Sequence, residues 1–257
     1  MARIFVTGSA DGLGQMAARL MVEAGHRVVL HGRSPERAAE ALAGVAGAEA
    51  AVSGDLSSIE ATREVARQVN RLGAVDAVIH NAAVGYRERR RIRTVDGLSH
   101  VFAINTLAPY LLTALISRPR RLVYLSSGLH RSGDGSLEDL NWEHRPWNGA
   151  QAYSDSKLHD VILAFAVARR WPDVLSNSLE PGWVATKMGG PGAPDDLDAA
   201  PRTQVWLATS EDAAARVSGQ YFYHLKRRAA DPAASDPQVQ ERLLAECARI
   251  SGVALPA

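Results

Sequence analysis

The chain has 257 residues, 46% of them apolar and 22% charged, proportions that suit a globular protein able to bury a full core. A formal charge of +1 supplies no overall field for nucleic acid or acidic membranes, and a single cysteine, Cys247, excludes an internal disulfide and a cysteine-rich metal centre. No apolar run approaches the roughly 18 residues of a membrane span, the N-terminus does not read as a signal peptide, and a reducing, cytoplasmic setting is expected.

In chain order, β-branched runs at Ile4–Val6, Val28–Leu30, Ala50–Val52, Ala77–Ile79, Leu122–Leu125, Val174–Leu179 and Gln220–Phe222 predict strands. Segments near 12–24, 58–71, 97–116 and 151–169 read as helices, and "DPQVQERLLAECARI" as a closing helix. The alternation predicts βαβ units: a single α/β domain over 1–257, with a doubly wound parallel sheet of about seven strands covered by helices on both faces. Two Pro/Gly-rich stretches, 128–149 and 189–201, read as surface loops. "YRERRRIR" at 86–93 reads as a solvated loop, because a nucleic-acid patch would need the rest of the domain to be basic too. The histidines lack ligand spacing, so no metal is expected. "TLAPYLLTALIS" and "VILAFAVARR" are apolar on more than one face, which leaves two readings, a homodimer interface or full burial against the sheet.

Directly after the first strand stands "TGSADGLG", with Gly8, Gly12 and Gly14 close together. A helix N-terminus carries unpaired N–H groups and partial positive charge, so it attracts phosphate where no side chain blocks the approach. Glycine removes the Cβ and permits positive φ, and Gly14 would let the helix pack closely on the strand. The spacing G-x-x-x-G-x-G departs from the dinucleotide fingerprint G-x-G-x-x-G, and a ligand-free glycine turn is the alternative. At the end of the second strand, "VVLHGRS" places Arg33 where an acid would accept the ribose 2′-hydroxyl of NAD. A guanidinium can fork onto a 2′-phosphate, which favours NADP over NAD; a solvated arginine is the alternative.

"QAYSDSK" sets Tyr153 and Lys157 four apart, on one face of a helix. A free phenol titrates near pH 10, and a fixed ammonium beside it favours the phenolate and lowers that value towards useful proton transfer. Only three of the 29 basic residues are lysines, Lys157, Lys187 and Lys226, so a lysine here is informative. A plain surface pair is the competing view.

"TGSADGLG", "DL" at 55–56, "NAA" at 81–83, the Asn of "FAINTLAPYLLT", "YLSS", "YSDSK" and "PGWVATKM" follow one another in order. Together they resemble the short-chain dehydrogenase/reductase family over residues 3–225, with a Rossmann-type domain as the implied fold. The resemblance implies that Tyr153 gives a proton to a carbonyl, or takes one from an alcohol. Lys157 would lower the Tyr153 pKa and hold the nicotinamide ribose, Ser127 would steady the substrate oxygen, and Asn105 would support Lys157 through a water-linked relay. Gly8, Gly12 and Leu13 would line the pyrophosphate, with Ser9 and Asp11 of the same turn at the cofactor. Asp55 and Leu56 would flank the adenine, Asn81 and Ala82 the ribose, and Pro181, Gly182, Val184 and Thr186 would hold the nicotinamide amide.

Alternatives stay open for some of these positions. Asp55 could cap the helix starting near Ser58, Ser126 could replace Ser127, and Asn105 could bond to nearby backbone. "HNAA" also departs from the family's commoner "NNAG". The long segment after Ser127 resembles the extended loop of retinol-dehydrogenase-like reductases, and phrases such as "AYSDSKLHD" resemble daunorubicin C-13 ketoreductase-like enzymes. That loop carries His130, Trp142, His144 and Trp147, and a lid candidate from Trp183 onward brings Met188. Aromatic walls would suit a bulky carbonyl substrate; the tryptophans could instead anchor the loops. The leading expectation is an NADP-dependent reductase of bulky ketones or aldehydes. A non-catalytic nucleotide sensor would show a decayed Ser–Tyr–Lys set, and an epimerase would carry a second lobe.

Overall fold

The computed structural model describes residues 1–257. In chain order its elements are β1 (Arg3–Val6), α1 (Gly12–Glu23), β2 (Arg27–Gly32), α2 (Pro35–Gly44), β3 (Ala50–Ser53), α3 (Ile59–Leu72), β4 (Ala77–His80), α4 (His100–Phe102), α5 (Ala108–Leu115), β5 (Arg121–Leu125), α6 (Gly149–Arg170), β6 (Leu175–Glu180), α7 (Arg202–Thr209), β7 (Tyr221–Tyr223), β8 (Lys226–Arg228) and α8 (Pro237–Ser251). The eight strands form one sheet in the order β3-β2-β1-β4-β5-β6-β7-β8. All neighbours are parallel except β7 and β8. The chain winds outward from β1 to β3, then crosses to β4 and winds the other way. That reversal opens a crevice at the carboxyl ends of β1 and β4, where ligands bind in sheets of this kind. The fold is the expected α/β Rossmann type, with one strand more than expected.

Strands β1, β2, β4 and β5 are almost wholly buried, which explains their continuous apolar runs. The larger core lies between the sheet and α3, α5, α6 and α8; the smaller one lies between the opposite face and α1, α2 and α7. Both segments read as dimer candidates, within α5 and α6, are buried inside the single chain. Their apolar faces therefore need no second copy. No helix is long and apolar enough to cross a membrane.

Three elements went unpredicted. Helix α2 is capped by Ser34, which accepts from the Arg37 N–H, with Pro35 in its first turn. Helix α7 has no side-chain cap. Strand β8 is an exposed "KRR" without alternation, joined to β7 through His224 and Leu225 at φ 46° and 65°, a tight hairpin turn.

Candidate active site

A cleft of about 850 Å³ runs along the carboxyl ends of the strands, from Arg33 and Asp55 past the glycine turn to Tyr153 and Lys157. The turn is held from below. Thr7 Oγ1 accepts from the N–H groups of Asn81 and Ala82, both at 2.9 Å, and Asn81 Nδ2 donates to the carbonyls of Thr7 and Gly8 at 2.9 and 3.1 Å. Buried His31 accepts from the Gly8 N–H at 3.0 Å, so that amide is already committed.

The three glycines serve different ends. A Cβ on Gly8, at φ +62°, would lie 2.9 Å from Ala82 Cα. On Gly14 it would lie 2.4 Å from Asn81 Nδ2 and 2.5 Å from the Gly8 carbonyl, so Gly14 admits Asn81 and the turn rather than serving helix–strand packing in general. Gly12 has φ +54° and no atom within 4 Å of where its Cβ would stand. Open space over a helix N-terminus is what an approaching phosphate group requires. Arg33 is exposed at the cleft's far end, where Arg37 and Lys187 also line it. Open above Gly12 and lined by cations at one end, the cleft has room for a dinucleotide's phosphates.

At the other end, β5 and α6 bring the proton-transfer candidates together. Helix α6 starts at Asn148, whose side chain accepts from the Gln151 N–H, and this places Tyr153 and Lys157 in its first turns, both buried. Lys157 Nζ donates to the Leu125 carbonyl at 2.7 Å and to Asp160 Oδ2 at 2.8 Å. Ser126 borders the cleft but spends its hydroxyl on the Lys157 carbonyl at 2.7 Å, while Ser127 lies by the phenol and favours its charged form. The Tyr153 hydroxyl meets Met188 Sδ at 3.8 Å.

The electrostatics correct one expectation. Burial raises the Tyr153 pKa; the Lys157 charge pulls it down, but Asp160 opposes that pull, and the phenol stays above its ordinary value. Burial also works against the Lys157 charge, yet Asp160 and the phenol outweigh it and hold the amine above its usual range. Burial pushes the Asp160 carboxyl up to about 6 despite its lysine partner. Sequence reasoning took account of the ammonium but not of the carboxylate one helical turn beyond it.

The family model of short chain dehydrogenases matches residues 2–128. An uncharacterized oxidoreductase of Emericella nidulans is 46% identical over 100% of this chain and 99% of its own length. The chain belongs to the short-chain dehydrogenase family. Retinol dehydrogenase 13 of Homo sapiens is 33% identical over 98% of this chain and 85% of its own length. A Streptomyces protein bearing the name daunorubicin C-13 ketoreductase DnrU is 35% identical over 72% of this chain and 67% of its own. A crystal structure of an uncharacterized Mycobacterium paratuberculosis protein superposes with a TM-score of 0.86 at 24% identity, covering 100% of this chain and 96% of that one. As a short-chain dehydrogenase, the chain is an oxidoreductase of a family that binds NAD(P).

Within this short-chain dehydrogenase, Gly8, Asp11, Gly12, Leu13, Arg33, Asp55, Leu56, Asn81, Ala82, Tyr153, Lys157, Pro181 and Thr186 all line the cleft. Ser9 does not: it is fully buried, donating to the Val6 carbonyl and accepting from the His31 N–H, so it pins β1 to β2. Asp11 has its carboxylate bridged by Arg37 at 2.9 Å and Lys187 at 2.7 Å, tying the lid segment to the glycine turn. The hydrogen bond from Lys187, only partly offset by burial, holds the Asp11 carboxyl below its ordinary pKa. Asp55 is not the cap of α3; Ser58 is, and Asp55 Oδ1 accepts from the Ser57 N–H instead.

Asn105 sits in a π turn, Ala103–Leu107, between α4 and α5. Its side chain accepts from the Val84 N–H at 2.8 Å and donates to the Val84 carbonyl and Ser156 Oγ, both at 3.0 Å, so it is committed to holding the segment after β4. Val184 is buried and bridges Asp195; Gly182, at φ +90°, leaves room for the Asp195 side chain.

The aromatic walls prove to be anchors. Trp142 is buried against Trp147 and stacks under Arg145 at 3.7 Å, and Trp147 Nε1 donates to the Glu88 carbonyl. His130 is fully buried, bonded to the Ser127 carbonyl and the Asp231 N–H. Arg91 of the basic loop is likewise tied down, on the Asn141 and Gly97 carbonyls. What faces the Tyr153 ring is Tyr86, edge-on at 5.7 Å between centroids, together with Met188 packed over Gly85.

Proposed function

We propose that this oxidoreductase is an NADP-preferring ketoreductase for a bulky carbonyl substrate, converting ketone or aldehyde to alcohol. The supporting observation is that Tyr153 and Lys157, with Ser127 beside the phenol, stand at one end of a cleft whose other end presents Arg33 with no carboxylate partner. Arg33 would hold the 2′-phosphate with Arg37 beside it, a planar fork matched to phosphate oxygens. The free N–H groups at the start of α1, by Gly12 and Leu13, would receive the pyrophosphate. Asp55 and Leu56 would flank the adenine, Asn81 and Ala82 the ribose, and Pro181 and Thr186 the nicotinamide amide. When bound, the nicotinamide supplies the hydride.

The chain's own residues do the rest. Tyr153 donates its hydroxyl proton to the oxygen, and Ser127 donates a hydrogen bond to the same oxygen as charge develops there. Lys157, fixed by Leu125 and Asp160, has one N–H left for the ribose and keeps positive charge near the phenol. Met188 must move from the Tyr153 hydroxyl before a carbonyl can reach it, so lid motion accompanies substrate entry. A reducing, cytoplasmic setting fits the single cysteine, which is free and buried.

The test follows NADPH consumption over a panel of bulky ketones, wild type beside Tyr153→Phe. Turnover by the wild type and loss by roughly 10²–10⁴-fold in the variant is expected. Equal turnover would remove Tyr153 as proton donor, and tight NADPH binding without turnover on any ketone would return the sensor reading.

A further inference from the structure

On the dinucleotide reading of the cleft above, we propose that Lys187 and Asp11 form a clasp that holds the lid shut over the cleft and slows release of the bound cofactor. Asp11 belongs to the glycine turn and Lys187 to the lid segment after β6, 176 positions later, and both line the cleft. Lys187 Nζ donates to Asp11 Oδ2 at 2.7 Å, and Arg37, from α2, donates to the same oxygen at 2.9 Å. Asp11 also stands at the N-cap of α1, where an aspartate side chain ordinarily accepts from the second or third N–H of its helix. Here it accepts from neither. Its carboxylate is given to the two cations instead, and the opening turn of α1 is left without a side-chain cap.

The lid is folded on itself. The Trp183 N–H donates to Asp195 Oδ2 at 2.6 Å, the Asp195 N–H donates to the Trp183 carbonyl at 3.0 Å, and Trp183 Nε1 donates to the Gly189 carbonyl at 3.0 Å. Bonds inside the lid keep its shape, so contacts outside it decide where it rests. Two of the outside polar contacts are long: Met188 Sδ lies 3.8 Å from the Tyr153 hydroxyl, and Arg87 reaches the Gly189 carbonyl at 3.4 Å. The lid's one ion pair to the body of the protein is Lys187–Asp11. The Lys187 side chain is 84% exposed, so the pair is screened by salt and opens at modest cost. That suits a lid that must release one nucleotide and admit the next.

Two measurements on the full chain test the clasp. Hydrogen exchange over residues 183–198 is followed without nucleotide in wild type, Lys187→Met, Asp11→Asn and Lys187→Arg. The first two variants are expected to exchange faster than wild type and Lys187→Arg to stay near it, with the differences fading at about 1 M salt, where the screening length is about 3 Å. Release of NADPH is then followed by its fluorescence during a chase with excess NADP. Lys187→Met is expected to speed release by about two- to fivefold when Asp11 is present and to change it little in the Asp11→Asn background. Equal acceleration in both backgrounds would overturn the clasp and make Lys187 a direct phosphate contact, and so would lid exchange that neither substitution moves. A wild type that holds no NADPH would defeat the NADP reading alone, because exchange decides the clasp without a nucleotide.

Discussion

Alanine at Gly12 and at Gly14 should separate ligand binding from folding. At Gly14 the new Cβ would sit 2.4 Å from Asn81 Nδ2 and 2.5 Å from the Gly8 carbonyl. Asn81 would have to give up its bonds to the Thr7 and Gly8 carbonyls, each worth about 0.5–1.5 kcal/mol. The turn would also have to shift, an overpacking strain of about 1–3 kcal/mol. Alanine recovers about 1 kcal/mol of helix propensity, leaving a net loss of about 1–5 kcal/mol. At Gly12 nothing would be struck, and the left-handed φ costs about 1–2 kcal/mol. The methyl would instead stand in the space kept for the pyrophosphate, lowering NADPH affinity by about tenfold or more, about 1.4 kcal/mol. Urea unfolding reads the first quantity and fluorescence titration with NADPH the second. A Gly14→Ala protein that unfolds at the wild-type midpoint, or a Gly12→Ala protein with wild-type affinity, would refute the reasoning.

Other outcomes follow from the same geometry. Arg33→Ala should weaken NADPH by about 1.5–3 kcal/mol and leave NADH nearly unchanged; isothermal titration with both nucleotides checks this, and equal effects would remove the NADP preference. Ser127→Ala should lower kcat by about 10²–10³-fold, with only a minor loss of stability from its bond to the Leu129 N–H. Ser126→Ala should do the reverse, costing about 1 kcal/mol of stability through its lost bond to the Lys157 carbonyl. Burial holds both His80 and His159 at about 3 in the folded chain, below the unfolded value of 6.5. Their contribution is therefore present above pH 6.5 and lost as pH falls, because the unfolded chain binds the protons first. Between pH 7 and 5 this amounts to about 2 kcal/mol for each. Urea midpoints that do not fall across that range would contradict neutral, buried histidines.

Much of the architecture was legible because it rests on local chemistry. Buried strands such as Ile4–Val6 and Ala77–Ile79 show as apolar runs, and amphipathic spacing marks α1, α3 and α8. Helix α2 carries a readable start in Ser34 and Pro35, but its interior is too short and too polar on its own to mark a helix. Helix α7 has no cap to read, and β8 becomes a strand only because β7 offers it an edge.

At the site, the residue types and their spacing along the chain were accessible from the sequence alone: the glycines after β1, the arginine after β2, and the tyrosine and lysine one turn apart on α6. Those facts are local, and the chemistry of each side chain does not depend on the rest of the fold. Tertiary packing decided what each group is free to do. Ser9, Asn105 and His130 look functional in a string of letters, yet each spends its polar surface on a neighbour distant in sequence, and Trp142 spends its ring on Arg145 and Trp147 of its own loop. Asp160 reads as one more helix residue until burial leaves its charge nothing but Lys157 to answer it. Desolvation and long-range pairing are properties of assembled surfaces, so only the folded chain could set the balance that governs the phenol.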